Sequence, residues 1–276
     1  MLSLFISNIE YVTLRLLRRF VFPKDLHRWG RYVPFYQTNV GESQPDQVCR
    51  PYIDWLAAER RSVVGRRVIE VGSGATNAVG YALICAGATQ VWCVEPFVAF
   101  DQSEDAVLLD QLAKSHGLER VKIAAAVTRC ESFAPIESGS ADLIVSHSVL
   151  EHVSDLASLF SDMHRAMATS GAMLHVVDYR DHFFKYPLHF LQFSKKTWRK
   201  FLDPGDLPRW RLGDHTLALE QAGFALRVLR AEENAREFAR IKPNISADFN
   251  LSDPSISVLR AVIYGERKKS THSASR

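Results

Sequence analysis

The chain has 276 residues, of which 47% are hydrophobic and 24% charged, with a formal net charge of +3. These proportions belong to a folded domain able to bury a sizeable core, and they exclude wholesale disorder. A charge of +3 is too small to imply a nucleic-acid partner, and no apolar run approaches the roughly 18 residues of a spanning helix.

The first predicted element lies at the start. Leu2, Phe5, Ile6, Ile9, Val12, Leu16, Leu17 and Phe20 recur at helical spacing, Arg15, Arg18 and Arg19 cluster late, and Pro23 closes the run. Two readings of residues 1–22 stay open: a helix packed on its own domain, or a helix that docks outside it, either interfacial with its apolar face in lipid and its arginines at the headgroups or partner-binding. The segment lacks the positive start and cleavage site of a signal peptide. Trp29 to Tyr36 is aromatic but aperiodic and predicts an ordered loop.

A helix is expected over 46–62, then a strand over 66–71, a helix over 77–86, a strand over 90–95 and a helix over 101–115. Val121–Val127 is expected to be the third strand, Ala141–Ser146 the fourth and Ala172–Asp178 the fifth, with a helix over 154–168 before it. Residues 179–211 interrupt the alternation with aromatic and basic groups. It resumes with helix 213–222, strand 224–230, a helical 232–240 and a last strand near 256–264. Strands and helices alternating at this pitch specify an α/β fold, a mostly parallel seven-stranded sheet with helices on both faces. The expected organisation is an N-terminal helix and aromatic loop (1–45), one α/β domain (46–265) with an insertion at 179–211, and a flexible basic tail (266–276).

Cys49, Cys85, Cys93 and Cys130 form no C-x-x-C pair and have no histidine at metal-ligand spacing. Used as small apolar side chains, they fit a reducing cytoplasm, and no metal is expected.

The most informative stretch is Val68-Ile69-Glu70-Val71-Gly72-Ser73-Gly74-Ala75-Thr76, answered by Val91-Trp92-Cys93-Val94-Glu95-Pro96. A strand ending in a glycine-rich turn, followed by a second strand ending in a carboxylate, is how an α/β sheet builds a nucleoside site. Glu70 and the backbone around Gly72 and Gly74 suit an amino-acid end, Glu95 a ribose diol, and Pro96 and Phe97 an apolar wall for a base.

With Ser140 to Val153 added, these motifs resemble a class I S-adenosylmethionine-dependent methyltransferase. The glycine turn is similar to its E-x-G-x-G motif, and Ser140-Ala141-Asp142-Leu143-Ile144-Val145 with Val149-Leu150-Glu151-His152-Val153 to its fourth-strand region. The resemblance implies a Rossmann-like, doubly wound sheet and S-adenosyl-L-methionine as cofactor, held by Glu70, Gly72, Gly74, Glu95, Pro96, Phe97, Cys130 and Ser146. Two positions depart from it. Thr76 stands where a third glycine is common, and Arg129 roughly where an acidic residue often holds the adenine.

A hydroxyl acceptor needs a base. His147, Asp178 and His182 are the catalytic candidates, on the edge where such sheets bind ligands, with Glu151, His152 and Asp181 beside them. The aromatics of 179–211, interleaved with the seven lysines and arginines of 185–211, suit an acceptor on a small molecule, a glycan or a lipid-linked intermediate. Two alternatives remain, an NAD-dependent oxidoreductase and a non-catalytic scaffold of the same fold.

Overall fold

The computed structural model describes residues 2–20, 44–181, 185–203, 205 and 207–269. The expected loop at 29–36, His182, Phe183, Phe184 and the last seven residues of the tail lie outside the described residues.

Helix α1 (Leu2–Phe20) comes first, and α2 (Pro45–Ala58) leads into β1 (Arg67–Val71). Then follow α3 (Ala78–Cys85), β2 (Gln90–Val94), α4 (Gln102–His116), α5 (Arg120–Ala125) and β3 (Val127–Cys130). The second half has β4 (Ala141–His147), α6 (Leu156–Ala166), β5 (Met167–Asp178), α7 (Leu212–Gln221), β6 (Phe224–Glu233), α8 (Ala235–Ile241) and β7 (Val258–Arg267).

The seven strands form one sheet in the order β3-β2-β1-β4-β5-β7-β6. All neighbours from β3 to β5 pair in parallel, and β7 runs antiparallel to both β5 and β6. The order reverses direction between β1 and β4, and that switch point is where an open α/β sheet binds its ligand.

Alternation along the strands sorts the core. Val68, Val91, Cys93, Leu143, Val145 and Leu174 face α2, α3 and α4, where Tyr52, Leu83 and Leu109 cover them. Ile69, Val71, Val94, Ile144, Met173 and Val177 face α6 and α7 and meet Phe160, Met163 and Leu219. Burial of each of these larger side chains stabilises the fold by about 1.5–3 kcal/mol. Local chemistry fixes the helix ends. The Asp101 carboxylate accepts the N–H groups of Ser103 and Glu104 at 3.1 and 3.0 Å to start α4, and Gly117 ends it at φ +65°.

The third strand departs from expectation. Val121 to Ala125 is helical, and the strand begins only at Val127. Val121 is 75% exposed while Ile123 is buried, a one-sided pattern that a strand buried on both faces cannot have. The alanines at 124–126 add helix propensity. The strand at the chain's end is longer than expected, running to Arg267.

A third core lies off the sheet, where Tyr11 of α1 packs with Tyr186, Leu188, Phe190, Leu191 and Trp198. Tyr186, Phe190 and Trp198 of the insertion, read from the sequence as suiting an acceptor, are thus packing groups. Its cations divide. Arg209 and Arg211 are buried, Arg209 donating to the carbonyls of Phe190 and Phe193 (2.9 and 2.7 Å) and Arg211 to those of Tyr179 and Ile256 (2.7 and 2.8 Å). Both are structural cross-links.

Candidate active site

The glycine turn leaves β1 with Gly72 at φ +77° and Gly74 at φ +69°, left-handed values that a side chain would oppose. A Cβ at Gly72 would collide with the methyls of Val149, so the turn is pressed against the chain leaving β4. At Gly74 a Cβ would meet nothing within 4 Å, which leaves the backbone open to a ligand.

Glu95 reaches back to this turn from the end of β2. Its Oε2 accepts the N–H of Gly74 at 3.0 Å, and its Oε1 those of Phe97 and Val98 at 2.9 and 3.0 Å. A carboxylate offers about four acceptor positions, so one remains. Beside it the loop 96–100 exposes Phe97 (89%), Val98 (46%) and Phe100 (44%), an apolar patch next to an anionic group. Pro96 is exposed too.

Arg129 is the functional residue that sequence reasoning passed over as a gap. It is opposite Cys93 in the ladder, which in turn is opposite Glu70. Its guanidinium donates to Ser73 Oγ (3.2 Å), Asn77 Oδ1 (3.3 Å), the Gly74 carbonyl (2.7 Å) and the Val98 carbonyl (3.1 Å). It also lies 5.0 Å from the Phe100 ring. Arg129 therefore ties the glycine turn to the loop that carries the apolar patch. A cation at the ligand-binding end of a short strand was the available signal. Thr76 is buried, so no third glycine is needed there.

Three expected cofactor ligands are placed elsewhere. The Glu70 side chain is buried against the Cys93 thiol, 3.4 Å away, and burial pushes its carboxyl up to about 7. Ser146 is fully buried and meets His175 Nδ1 at 2.7 Å inside the sheet layer. Cys130 packs its side chain among Val94, Phe133 and Ile136, while its carbonyl accepts the Glu95 N–H at 2.8 Å. The period-two alternation of β3 and β4 turns both side chains to the α6–α7 face, away from the cleft.

Of the catalytic candidates, His147 is the open one. It ends β4, its ring edge-on to Tyr52 of α2 at 6.4 Å. Burial, reinforced by Arg260, lowers its pKa from 6.5, with Asp178 opposing, so the ring is neutral at pH 7. Among the described residues its buried Nδ1 has no hydrogen-bond partner. The next residue, Ser148, takes φ +55°, a strained value for a non-glycine, and its N–H donates to the Val176 carbonyl at 2.8 Å.

Asp178 is corrected by the structure. Arg180 holds it at 2.5–3.1 Å and Arg260 at 3.6 Å, and despite burial these cations keep its carboxyl below the usual range. It is a poor base. Glu151 is buried, accepts the Asp178 N–H at 3.3 Å, and burial raises its carboxyl well above the usual value. Asp181 pairs with Arg15 and Tyr11 of α1.

The fold and this cleft define a class: an open α/β sheet with a nucleoside-type cradle at its switch point and a neutral histidine beside it. Residues 42–228 match the family model described as a methyltransferase domain. That is more than half the chain, and the chain belongs to this family, a class I S-adenosylmethionine-dependent methyltransferase and not a nicotinamide-dependent oxidoreductase. It is 28% identical over 219 residues to the ubiquinone biosynthesis O-methyltransferase of Hahella chejuensis, covering 74% of this chain and 81% of that one. Among solved structures, one assigned as a sarcosine dimethylglycine methyltransferase from Galdieria sulphuraria aligns at TM-score 0.50 and 15% identity, covering 88% and 97% of the two chains. The geranyl diphosphate C-methyltransferase of Streptomyces coelicolor aligns at 0.47 and 13%, covering 84% and 85%.

The residues present fit the cofactor. The backbone open at Gly74 leaves room for it, Glu95 keeps an acceptor position, and the exposed Phe97, Val98 and Phe100 supply an apolar surface.

Proposed function

We propose that this chain methylates a hydroxyl of a small or lipid-linked acceptor, with His147 as the base. The neutral, partly buried His147 at the end of β4, with no hydrogen bond among the described residues, is the observation that carries the reading. The likeness to an O-methyltransferase supports it.

When bound, S-adenosylmethionine supplies a methyl group activated by the sulfonium charge. In this reading Glu95 would hold the ribose diol, the backbone at Gly72 and Gly74 the amino-acid end, and Phe97 a face of the adenine. Arg129 holds the two loops in register so that no reorganisation is needed on binding. His147 takes the hydroxyl proton at Nε2 as the acceptor oxygen attacks, because its Nδ1 is buried against protein. Tyr52 packs on the ring and keeps water from one side of it.

The test is His147→Ala assayed on a panel of phenolic and lipid-linked hydroxyl acceptors. The expected loss is roughly 10²–10⁴-fold in kcat, with S-adenosylhomocysteine affinity unchanged. Wild-type kcat should rise with pH through a value below 6.5 and then level off. Full activity in the alanine variant would refute the assignment.

A further inference from the structure

Helix α1 is mounted inside out. Ser7, Tyr11 and Arg15, spaced four apart, form its inner face with Asn8 beside them. Tyr11 and Arg15 both bond the fully buried Asp181, Asn8 and Gln192 exchange hydrogen bonds at 3.1 and 3.2 Å, and Ser7 meets His189 and Arg240 at 3.2 Å each. Arg15 lies 4.8 Å from the Trp198 ring, and Arg19 donates to the Asp203 carbonyl. The opposite face carries Ile6 (57% exposed), Ile9 (53%), Leu17 (42%) and Phe20 (61%), one stripe spaced as a helix face.

We propose that this outward stripe docks on an anionic lipid surface. The neighbouring turn, Trp198–Leu202, packs against the last turns of α1 and exposes Phe201. Beside Phe201 stand Lys196, Arg199 and Lys200, exposed and without an ion pair among the described residues. Apolar anchors flanked by free cations are the two signals that stable attachment to a bilayer requires. The acyl–headgroup boundary yields to such a surface without needing a matching shape.

The polar inner face is what fixes the stripe outward. Asp181 is three residues past Asp178, where β5 ends at the binding edge of the sheet. The docked helix would therefore hold that edge about one helix diameter, ~10 Å, from the lipid. This inference stands on the helix and its neighbours and does not depend on which acceptor is methylated.

Flotation of the full chain with vesicles of phosphatidylcholine, and of phosphatidylcholine with phosphatidylglycerol in equal parts, tests it. The chain should float with the anionic vesicles and be released as salt rises. Ile9→Ser with Leu17→Ser and Phe20→Ser, all at exposed positions, should cut bound protein by about tenfold or more. Arg199→Gln with Lys200→Gln leaves the apolar stripe intact and should weaken binding only to the anionic vesicles. Failure to float with either composition, or unchanged flotation of the triple-serine variant, overturns the proposal. So does a lipid-independent dimer that the serine variant abolishes, which would make the stripe a protein interface.

Discussion

Glu95 holds two loops with one carboxylate. Its oxygens collect N–H groups from Gly74 on one side and from Phe97 and Val98 on the other, so it shapes the cradle besides facing it. Glu95→Ala therefore removes a ligand acceptor and frees both loops. Hydrogen bonds to a charged group are worth about 1.5–3 kcal/mol, and the variant should lose at least that much S-adenosylhomocysteine affinity in calorimetric titration. Unchanged affinity in a folded variant would separate this carboxylate from the cofactor. The sequence marked the position because a carboxylate at the end of the second parallel strand faces the glycine turn that leaves the first. Ser146 and Cys130 turn their side chains from the cleft for a reason at the same scale. Proximity to the strand end places a residue at the edge, but the alternation of faces decides whether its side chain enters the cleft.

β3, with Thr128 and Arg129, was placed too early, but β1, β2, β4 and β5 could be read at the scale of elements because, covered on both faces, they are near-continuous apolar runs. The orientation of α1 could not. Periodicity reveals two faces but not which one turns inward, and here the answer is set by Asp181, His189 and Gln192, more than 160 residues away in sequence. The same ignorance of distant partners made Arg209 and Arg211 look available to an acceptor, although each ends on buried carbonyls. Asp181 is the test of this docking. Asp181→Ala leaves the Arg15 guanidinium buried without its carboxylate, and breaking such a pair costs roughly 3–5 kcal/mol. The sheet does not depend on it, so the expected response is local: α1 should lose amide protection in hydrogen exchange while the strands keep theirs. Equal protection in both proteins would show that packing around Tyr11 alone secures the helix.

For the whole molecule, the buried titratable groups set opposing slopes in stability against pH. His175 and His215 are buried neutral with pKa values near 3, and His189 near 4, all lowered mainly by burial. His215 donates from Nε2 to the Leu150 carbonyl at 3.2 Å and accepts from Tyr179 at 2.8 Å, a pairing that only the neutral ring can make. A depressed histidine gives stability that is complete above its unfolded value of 6.5 and is lost as pH falls toward the folded one. Glu70, raised to about 7, and Glu151, raised well above 4.5, act in the other direction, complete below 4.5 and losing stability as pH rises. Between 4.5 and 6.5 the depressed histidines, His147 and His164 among them, outweigh the two raised carboxyls, so stability should rise with pH there. Above 6.5 the histidines contribute no further slope and the carboxylates alone remain, so stability should pass through a maximum near pH 6.5. Urea midpoints recorded from about pH 4 to about pH 9 would trace this dome. Glu151→Gln, which removes one of the two raised carboxyls, should flatten the alkaline limb and leave the acid limb in place. A midpoint that climbs steadily to the alkaline end in the wild type would mean that Glu70 and Glu151 ionise in the fold as readily as in the unfolded chain.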